Sequence, residues 1–328
     1  MTYSPAWLLS SVGRRGELVK ILRTIPLRGT TSRVTAVDLS PFSSAGLLAD
    51  EFGLVPPVGD PGFIPRVISH AGAFGATTII PTIDPELSVY AEHVELLSSR
   101  GIAPWVSSAE VCQLGYDKWK FSRWCHGAGI PTARTAEAGS TEPTGLAGPI
   151  IAKPRSGSAS KGIMEFASEA EARAADLPEH YILQEKTRGD EVTVDFAVAR
   201  DGRLLGYSPR KRLEVRAGEV SKAVTIEHPL VTDVLHEAAR CLDGAFGVLN
   251  LQLFLDEETD SVSALELNPR FGGGYPLTHY AGCDLISAVL ESESGQSSRI
   301  RIPEPGVVML RYDTQVITSL NDIEAMRR

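Results

Sequence analysis

Glu266-Leu267-Asn268-Pro269-Arg270, followed by Phe271-Gly272-Gly273-Gly274-Tyr275, is the stretch that decides the fold. Upstream stands Val248-Leu249-Asn250-Leu251-Gln252-Leu253-Phe254-Leu255-Asp256. The acidic turn Glu257-Glu258-Thr259-Asp260 joins the two apolar runs into a hairpin. Side chains alternate faces along a strand, so Glu266 and Asn268 are expected on one face and Leu265 and Leu267 on the other. Pairing Gln252 opposite Glu266 brings the oxygens of Gln252, Glu266 and Asn268 together. Hard oxygen donors beside an arginine suit Mg²⁺ carrying the phosphates of a nucleotide. The polar outer face of an ordinary hairpin gives the same pattern, and spacing alone leaves both readings open.

The 328 residues allow two or three domains. Hydrophobic content of 43% and charged content of 22% are those of a soluble globular protein. A formal net charge of −9 argues against a general nucleic-acid footprint but leaves room for a local basic pocket. Cys112, Cys125, Cys241 and Cys283 form no C-x-x-C pair and no zinc-like cluster, so reduced, buried thiols in a cytoplasmic protein are expected. The apolar run Ala6 to Ser10 is too short for a signal peptide or a membrane span.

The front third alternates strands and helices, which implies a parallel sheet covered on both faces. Strands are expected at Ala6–Leu9, Arg33–Asp38, around Leu54, Ala76–Ile80 and Ile102–Val106. Helices are expected at Glu17–Arg23, Ser44–Glu51, Phe63–Phe74 and Glu86–Arg100. Gly13 and Gly16 after the first strand, with Asp38 ending the second, resemble a dinucleotide fingerprint only in part, because G-x-x-G is not G-x-G-x-x-G. Arg14 and Arg15 lie where open α/β sheets bind ligands, and they read equally well as an anion site or as a solvated pair.

Asp117 is an N-cap for a helix running to about Gly127, and Thr135 to Gly148 reads as loop. Pro149 to Pro154 is a buried-type strand carrying Lys153. In Arg155-Ser156-Gly157-Ser158-Ala159-Ser160-Lys161-Gly162, small residues leave backbone N–H groups free to wrap a polyphosphate, and Arg155, Lys161 and Lys153 add charge. It is no P-loop, since Ile163 and Met164 stand where Lys and Ser/Thr belong. A flexible hairpin tip is the plainer reading of this loop alone. Further on, strands are expected at Tyr181–Lys186, Val192–Val198, Leu204–Ser208 and Gly306–Tyr312, and helices at Ser168–Ala175, Val231–Phe246 and Asp284–Leu290. The basic run from Arg210 to Glu219 reads as surface or pocket lining. Gly272, Gly273 and Gly274 would let a substrate approach the backbone closely.

Set in order, these pieces resemble the ATP-grasp superfamily, in particular its carbamoyl-phosphate-synthetase-like and amino-acid-ligase branch. The resemblance rests on Asp117-Lys118, Ile151-Ala152-Lys153-Pro154 with the Ser/Gly loop, Gln184-Glu185-Lys186 with Glu191, Asn250-Leu251-Gln252, and Glu266 to Arg270. It covers about residues 110–290, and the front third resembles that branch's pre-ATP-grasp domain. It implies an α/β fold, α+β in the ATP-grasp part. Residues 1–109 would be the parallel-sheet domain, 110–183 a small subdomain with a phosphate lid, and 184–328 a large subdomain with the metal site.

The resemblance also implies roles. Lys118 and Lys153 would contact the phosphates of ATP, with Ser156, Gly157, Ser158, Ser160 and Gly162 in a lid above them. Gln184, Glu185 and Lys186 would lie beside adenine, and Glu191 would accept from the ribose. Gln252, Glu266 and Asn268 would hold Mg²⁺, Arg270 would face the acyl phosphate, and Arg216 would lie near the reacting carboxylate. The implied activity joins a small-molecule carboxylate, such as an amino acid, to an amine through an acyl phosphate, releasing ADP and phosphate. No nucleic acid or membrane is expected as a partner; family members are often dimers. Carbamoyl-phosphate synthesis is disfavoured, because the chain is short for two tandem ATP-binding halves. A small-molecule kinase and a non-catalytic ATP-binding module remain as alternatives.

Overall fold

The computed structural model describes residues 6–25, 32–140, 144–157, 162–216, 218–296 and 299–326. In the front part, β1 (Trp7–Ser10), β2 (Val34–Asp38), β3 (Glu51–Leu54), β4 (Thr78–Pro81) and β5 (Ala103–Pro104) form a parallel sheet in the order β3-β2-β1-β4-β5. β1 and β4 are buried along their whole length, as strands covered on both faces must be. Helices α1 (Gly16–Thr24), α2 (Phe63–Phe74), α3 (Asp84–Glu92) and α4 (Val94–Ser99) cover the sheet.

Two expected helices differ here. Ser44–Glu51 contains only a single 3-10 turn, Gly46–Leu48. Glu51 already pairs with Thr35 in the β2–β3 ladder, and the Phe52 ring lies where a Cβ on Gly46 would stand, 2.5 Å away. Glu86–Arg100 is broken at His93, with φ −110 and ψ 15. The His93 ring places Nδ1 2.8 Å from the Val89 carbonyl oxygen, where the helical backbone bond would form.

Next come α5 (Ala109–Tyr116), α6 (Lys118–Gly127), β6 (Thr135–Glu137), β7 (Ile150–Pro154), β8 (Met164–Phe166), α7 (Glu169–Ala174) and β9 (Tyr181–Glu185). Asp117 caps α6, accepting from Trp119 N and Lys120 N. The pattern did not mark α5, and β6 lies in the expected loop. The small antiparallel sheet runs β6-β9-β7-β8 over its own core of Ile150, Ala152, Ala172, Tyr181 and Leu183.

The last part holds β10 (Asp190–Val198), β11 (Leu204–Arg216), β12 (Glu219–Thr225), α8 (Pro229–Cys241), β13 (Gly247–Asp256), β14 (Ser261–Asn268), α9 (Tyr275–Tyr280), α10 (Leu285–Glu293), β15 (Val308–Leu310) and α11 (Leu320–Ala325). Its antiparallel sheet runs β14-β13-β10-β11-β12-β15. α8 is shorter than expected, and the chain turns at Gly244 with φ +79. β11 extends well past Ser208, so the basic run is strand. Acids on β10 make this feasible: Arg210 pairs with Asp195, and Arg212 with Glu191.

Strand alternation then sorts the sheet. Val192, Val194, Leu249, Leu251 and Leu253 pack on one face with Phe121, Val231 and Leu235 from the helices. On the other face, Thr193, Asn250 and Gln252 line a cavity. Beyond the cavity this second face turns apolar, and Ala197, Leu205, Phe271 and Tyr275 share one core with Trp7, Leu18, Leu22 and Leu285. That common core fixes the front sheet against the large one, with the cavity between them and the small sheet. Among the described residues, no helix is long and apolar enough to cross a membrane.

Candidate active site

The cavity has a volume of about 760 Å³, within the usual range for small-ligand pockets. The β13–β14 hairpin supplies one wall, with Gln252 directly opposite Glu266 as the spacing implies. Alternation fails one residue earlier. Leu253 pairs with Ala264, so Leu265 is an extra residue in β14. Leu265 therefore lines the cavity beside Glu266, while Ala264 and Leu267 enter the core. Such a bulge re-aims a strand's side chains, and here it corrects the expectation that Leu265 and Leu267 share a face.

Asn268 donates through Nδ2 to Asn250 Oδ1 at 3.2 Å and to Glu266 Oε1 at 3.3 Å. Its Oδ1 accepts from Arg270 Nη2 at 3.2 Å. Arg270 is gripped fork to fork by Asp84, with Nε–Oδ1 at 2.7 Å and Nη2–Oδ2 at 2.6 Å. Among the described residues, no three His, Cys, Asp or Glu side chains cluster as a metal cage. One carboxylate with neutral oxygens matches Mg²⁺ shared with substrate phosphates rather than a dedicated protein cage.

The opposite wall comes from the small sheet. Lys153 is buried and donates to Gln184 Oε1 at 2.7 Å. Burial pulls its ammonium down to about 8, with Glu266 opposing and Lys118 adding to the fall. Lys118 donates to the Gly157 carbonyl at 2.8 Å. Ser156, Gly157, Gln184, Glu185, Lys186 and Glu191 also line the cavity. Several of these side chains already have partners: Glu185 accepts from Ala147 N, Lys186 pairs with Glu165, and Glu191 pairs with Arg212. Gly162, with φ +74, is not part of the lining, and Ser158, Ser160 and Lys161 lie outside the described residues.

Two basic residues depart from expectation. Arg155 is held by Asp117 at 2.6 Å and Glu137 at 2.6 Å, outside the main cavity. Arg216 is 71% exposed at the end of β11, beside Glu214, and does not line the cavity. The hairpin carries it past the site. Arg210, further back on the same strand, lines the cavity instead. It is buried against Asp195, whose Oδ2 also accepts from Thr278 Oγ1 at 2.6 Å.

The glycine run is filled by the protein itself. A Cβ on Gly274 would stand 2.6 Å from Arg210 Nε. One on Gly272 would meet Arg210 Nη2 and Asn250 Nδ2 at 3.3 Å, and one on Gly273 would meet Glu219 Oε2 at 3.0 Å and Arg15 Nη1 at 3.1 Å. The glycines make room for these side chains, which the spacing did not reveal.

The front sheet contributes its C-terminal edge. Asp38 accepts from Gly13 N at 2.7 Å and Ser40 N at 3.1 Å, so this carboxylate pins a turn. Glu86 is buried and accepts from Ser10 Oγ, Ser11 Oγ, Thr82 N and Ile83 N. Burial nevertheless pushes it up to about 7. This network fixes the loop that presents Asp84. In the sequence Asp84 is marked only by its place in the loop after a parallel strand, and no local signal sets Arg210 apart from the other arginines of the basic run.

The comparisons fit this architecture. Residues 7–105 match the family model described as PylC-like, N-terminal domain, and residues 116–274 match that of the ATP-grasp domain. A comparison with curated proteins found no match. The fold is similar to the biotin carboxylase domain of Hydrogenobacter thermophilus 2-oxoglutarate carboxylase, solved with MgADP, ADP and bicarbonate. The TM-score is 0.71 at 16% identity, covering 93% of this chain and 74% of that one. Biotin carboxylase from Campylobacter jejuni gives 0.69 at 18% identity, covering 90% and 72%. N5-carboxyaminoimidazole synthetase from Staphylococcus aureus gives 0.69 at 14% identity, covering 93% and 81%. At such identities the likeness is one of fold. The family models go further: this chain carries an ATP-grasp domain behind a PylC-like N-terminal domain.

Proposed function

We propose that the protein is an ATP-dependent ligase that joins a small-molecule carboxylate, such as an amino acid, to an amine. The observation that carries this reading is the convergence on one cavity of Lys118 and Lys153 from one side and Gln252, Glu266, Asn268 and Arg270 from the other. Nucleotide phosphates have cations on the small-sheet side and oxygen donors on the hairpin side. Gln252, Glu266 and Asn268 would hold Mg²⁺, which when bound neutralises phosphate charge. Asn268 Oδ1 already accepts from Arg270, and its second lone pair would serve the ion.

The chemistry follows from the leaving group. A carboxylate oxygen attacks the γ-phosphorus of ATP, the bond to the bridging oxygen breaks, and ADP leaves. The acyl phosphate so formed has phosphate as its leaving group, where the free acid offered only oxide. The amine then attacks the acyl carbon, phosphate departs, and the amine's proton passes to phosphate or solvent. Lys153 places positive charge against the transferring phosphoryl group, where catalysis is chiefly positioning and electrostatics. Arg270 faces the developing oxyanion, and a preorganised donor there lowers the barrier by about 3 kcal/mol. The small sheet, with its separate core, is the element that would close to exclude water. The free, largely buried thiols suit a reducing cytoplasm.

The test is ADP and phosphate release across a panel of acids and amines. Turnover that ignores both the acid and the amine overturns the proposal. A second reading takes bicarbonate as the acid, because the Hydrogenobacter structure was solved with that anion. Bicarbonate-dependent ADP release without any other acid would favour it.

A further inference from the structure

Beyond Arg270 the cavity is bounded by Arg14, Arg15, Arg210, Asp84 and Glu219. Their charges are not matched one to one. Arg270 is held by Asp84 and Arg210 by Asp195. Glu219 accepts from Arg311 at 2.8 Å. Arg15 has no side-chain hydrogen bond or ion pair among the described residues, and its Nη1 is buried without a partner. Burial pulls its guanidinium below the ordinary range, Arg270 adds to that, and Glu219 opposes it. A buried guanidinium nitrogen without an acceptor is costly unless something supplies one.

The turn that carries Arg15 is fixed in advance. Gly13 N bonds Asp38, Arg15 N bonds the Val12 carbonyl at 2.9 Å, and Thr82 Oγ1 bonds the Ser11 carbonyl at 2.6 Å. A charged fork on a rigid turn, with an empty hydrogen-bonding nitrogen facing Gly273, is a built receptor for a planar or tetrahedral oxyanion.

We propose that Arg15 selects the amine substrate by an oxyanion, a carboxylate or phosphate that is not the reacting acid. The proposal rests on the ligase reading for the word amine; the anion preference itself needs no turnover. Arg15 holds this second anion while the amine points toward Arg270. Glu219 Oε2 lies close to the same nitrogen, since a Cβ on Gly273 would meet it at 3.0 Å and Arg15 Nη1 at 3.1 Å, and its charge disfavours a second anion beside the first. The substrate class is therefore an amine with an anionic head, such as an amino acid.

The test is calorimetric titration of the full chain with Mg·ADP present. The probes are L- and D-amino acids against their carboxamides, and phosphoethanolamine against ethanolamine. Wild type should bind anion-bearing probes at least about tenfold more tightly than the neutral counterparts, as for a charge-assisted fork. Arg15→Ala should erase that difference by weakening only the anionic probes, and Arg15→Lys should restore part of it. The pair that shows the difference tells carboxylate from phosphate. Gly273→Ala is a second variant, since its methyl group would crowd Arg15 Nη1 and Glu219 Oε2; it should reduce the same preference. No preference in wild type, or equal weakening of anionic and neutral probes in Arg15→Ala, overturns the proposal. Anion preference without acid- and amine-dependent ADP release would keep the role of Arg15 and sink the ligase reading instead. Turnover without anion preference would do the reverse.

Discussion

Asp84 and Arg270 stand 186 positions apart in the chain, yet their side chains meet in a two-bond fork at 2.7 and 2.6 Å. The front sheet thereby sets the aim of the arginine that follows the β13–β14 hairpin. Neutralising the grip with Asp84→Asn should lower turnover by about tenfold to a hundredfold, because a small misplacement of a reacting-centre group has that effect. ADP affinity, read by titration, should hardly change. An equal loss of ADP affinity would show that the pair serves nucleotide binding rather than aim.

Lys153 gives a pH signature. Its ammonium is held near 8 in the free protein by burial, so it loses charge as pH rises through about 8. Phosphates need the charged form and stabilise it. ATP binding should therefore weaken by up to about tenfold per pH unit above that point, with proton uptake on binding. Calorimetry in buffers of different ionisation enthalpy reads the uptake directly. Lys153→Ala should remove both effects.

Glu266 is the one carboxylate of the hairpin set. Glu266→Ala should abolish Mg²⁺-dependent ADP release with the melting temperature nearly unchanged, since the side chain is only half-buried and lies on the cavity wall. Activity retained at ordinary Mg²⁺ concentrations would remove this residue from the metal site.

Glu86 makes stability depend on pH. Its pKa in the fold is about 7 against an ordinary 4.5, so the folded protein binds the proton more tightly than the unfolded chain. The contribution is fully present below about 4.5 and is lost as pH rises through about 7. It amounts to about 3 kcal/mol. Urea unfolding across this range should show wild type falling relative to Glu86→Gln, which cannot ionise. Parallel curves would mean that the four donors to Glu86 outweigh its burial.

Gly274 tests the packing under the site. Gly274→Ala places a methyl group 2.6 Å from Arg210 Nε and 2.9 Å from Val220 Cγ1. Overpacking of this kind costs about 1–3 kcal/mol. Arg210 is tied to Asp195 and cannot swing away freely. Chemical denaturation should show the loss, and an unchanged midpoint would mean that the ring of side chains yields.

Much of this architecture is local in origin and legible in the sequence. The period-two pattern around Gln252 and Glu266 determined the hairpin and the pairing of these two residues, because a slip of one residue there would turn their polar side chains into the core. The apolar runs at β1, β2 and β4 determined a parallel sheet, and Asp117 marked its helix start. The order of Lys118, Lys153, Gln252, Glu266 and Arg270 implied, through the family resemblance, that they share one site, and all of them line one cavity.

Only tertiary structure decided the rest, because long-range pairing has no local period. Arg210 and Arg212 of β11 line the cavity beside acids of β10, Asp195 and Glu191, while Arg216 runs out into solvent. The extra residue Leu265 breaks alternation through the register with β13. Asp84 gains its role from a contact across the seam, and Arg15 stands out because its buried Nη1 has no partner while Arg270, Arg210 and Glu219 are each paired. The sequence by itself determined many of the strands and helices and the chemistry available to them. The packing of three sheets around one cavity decided which charges were neutralised and which stayed open.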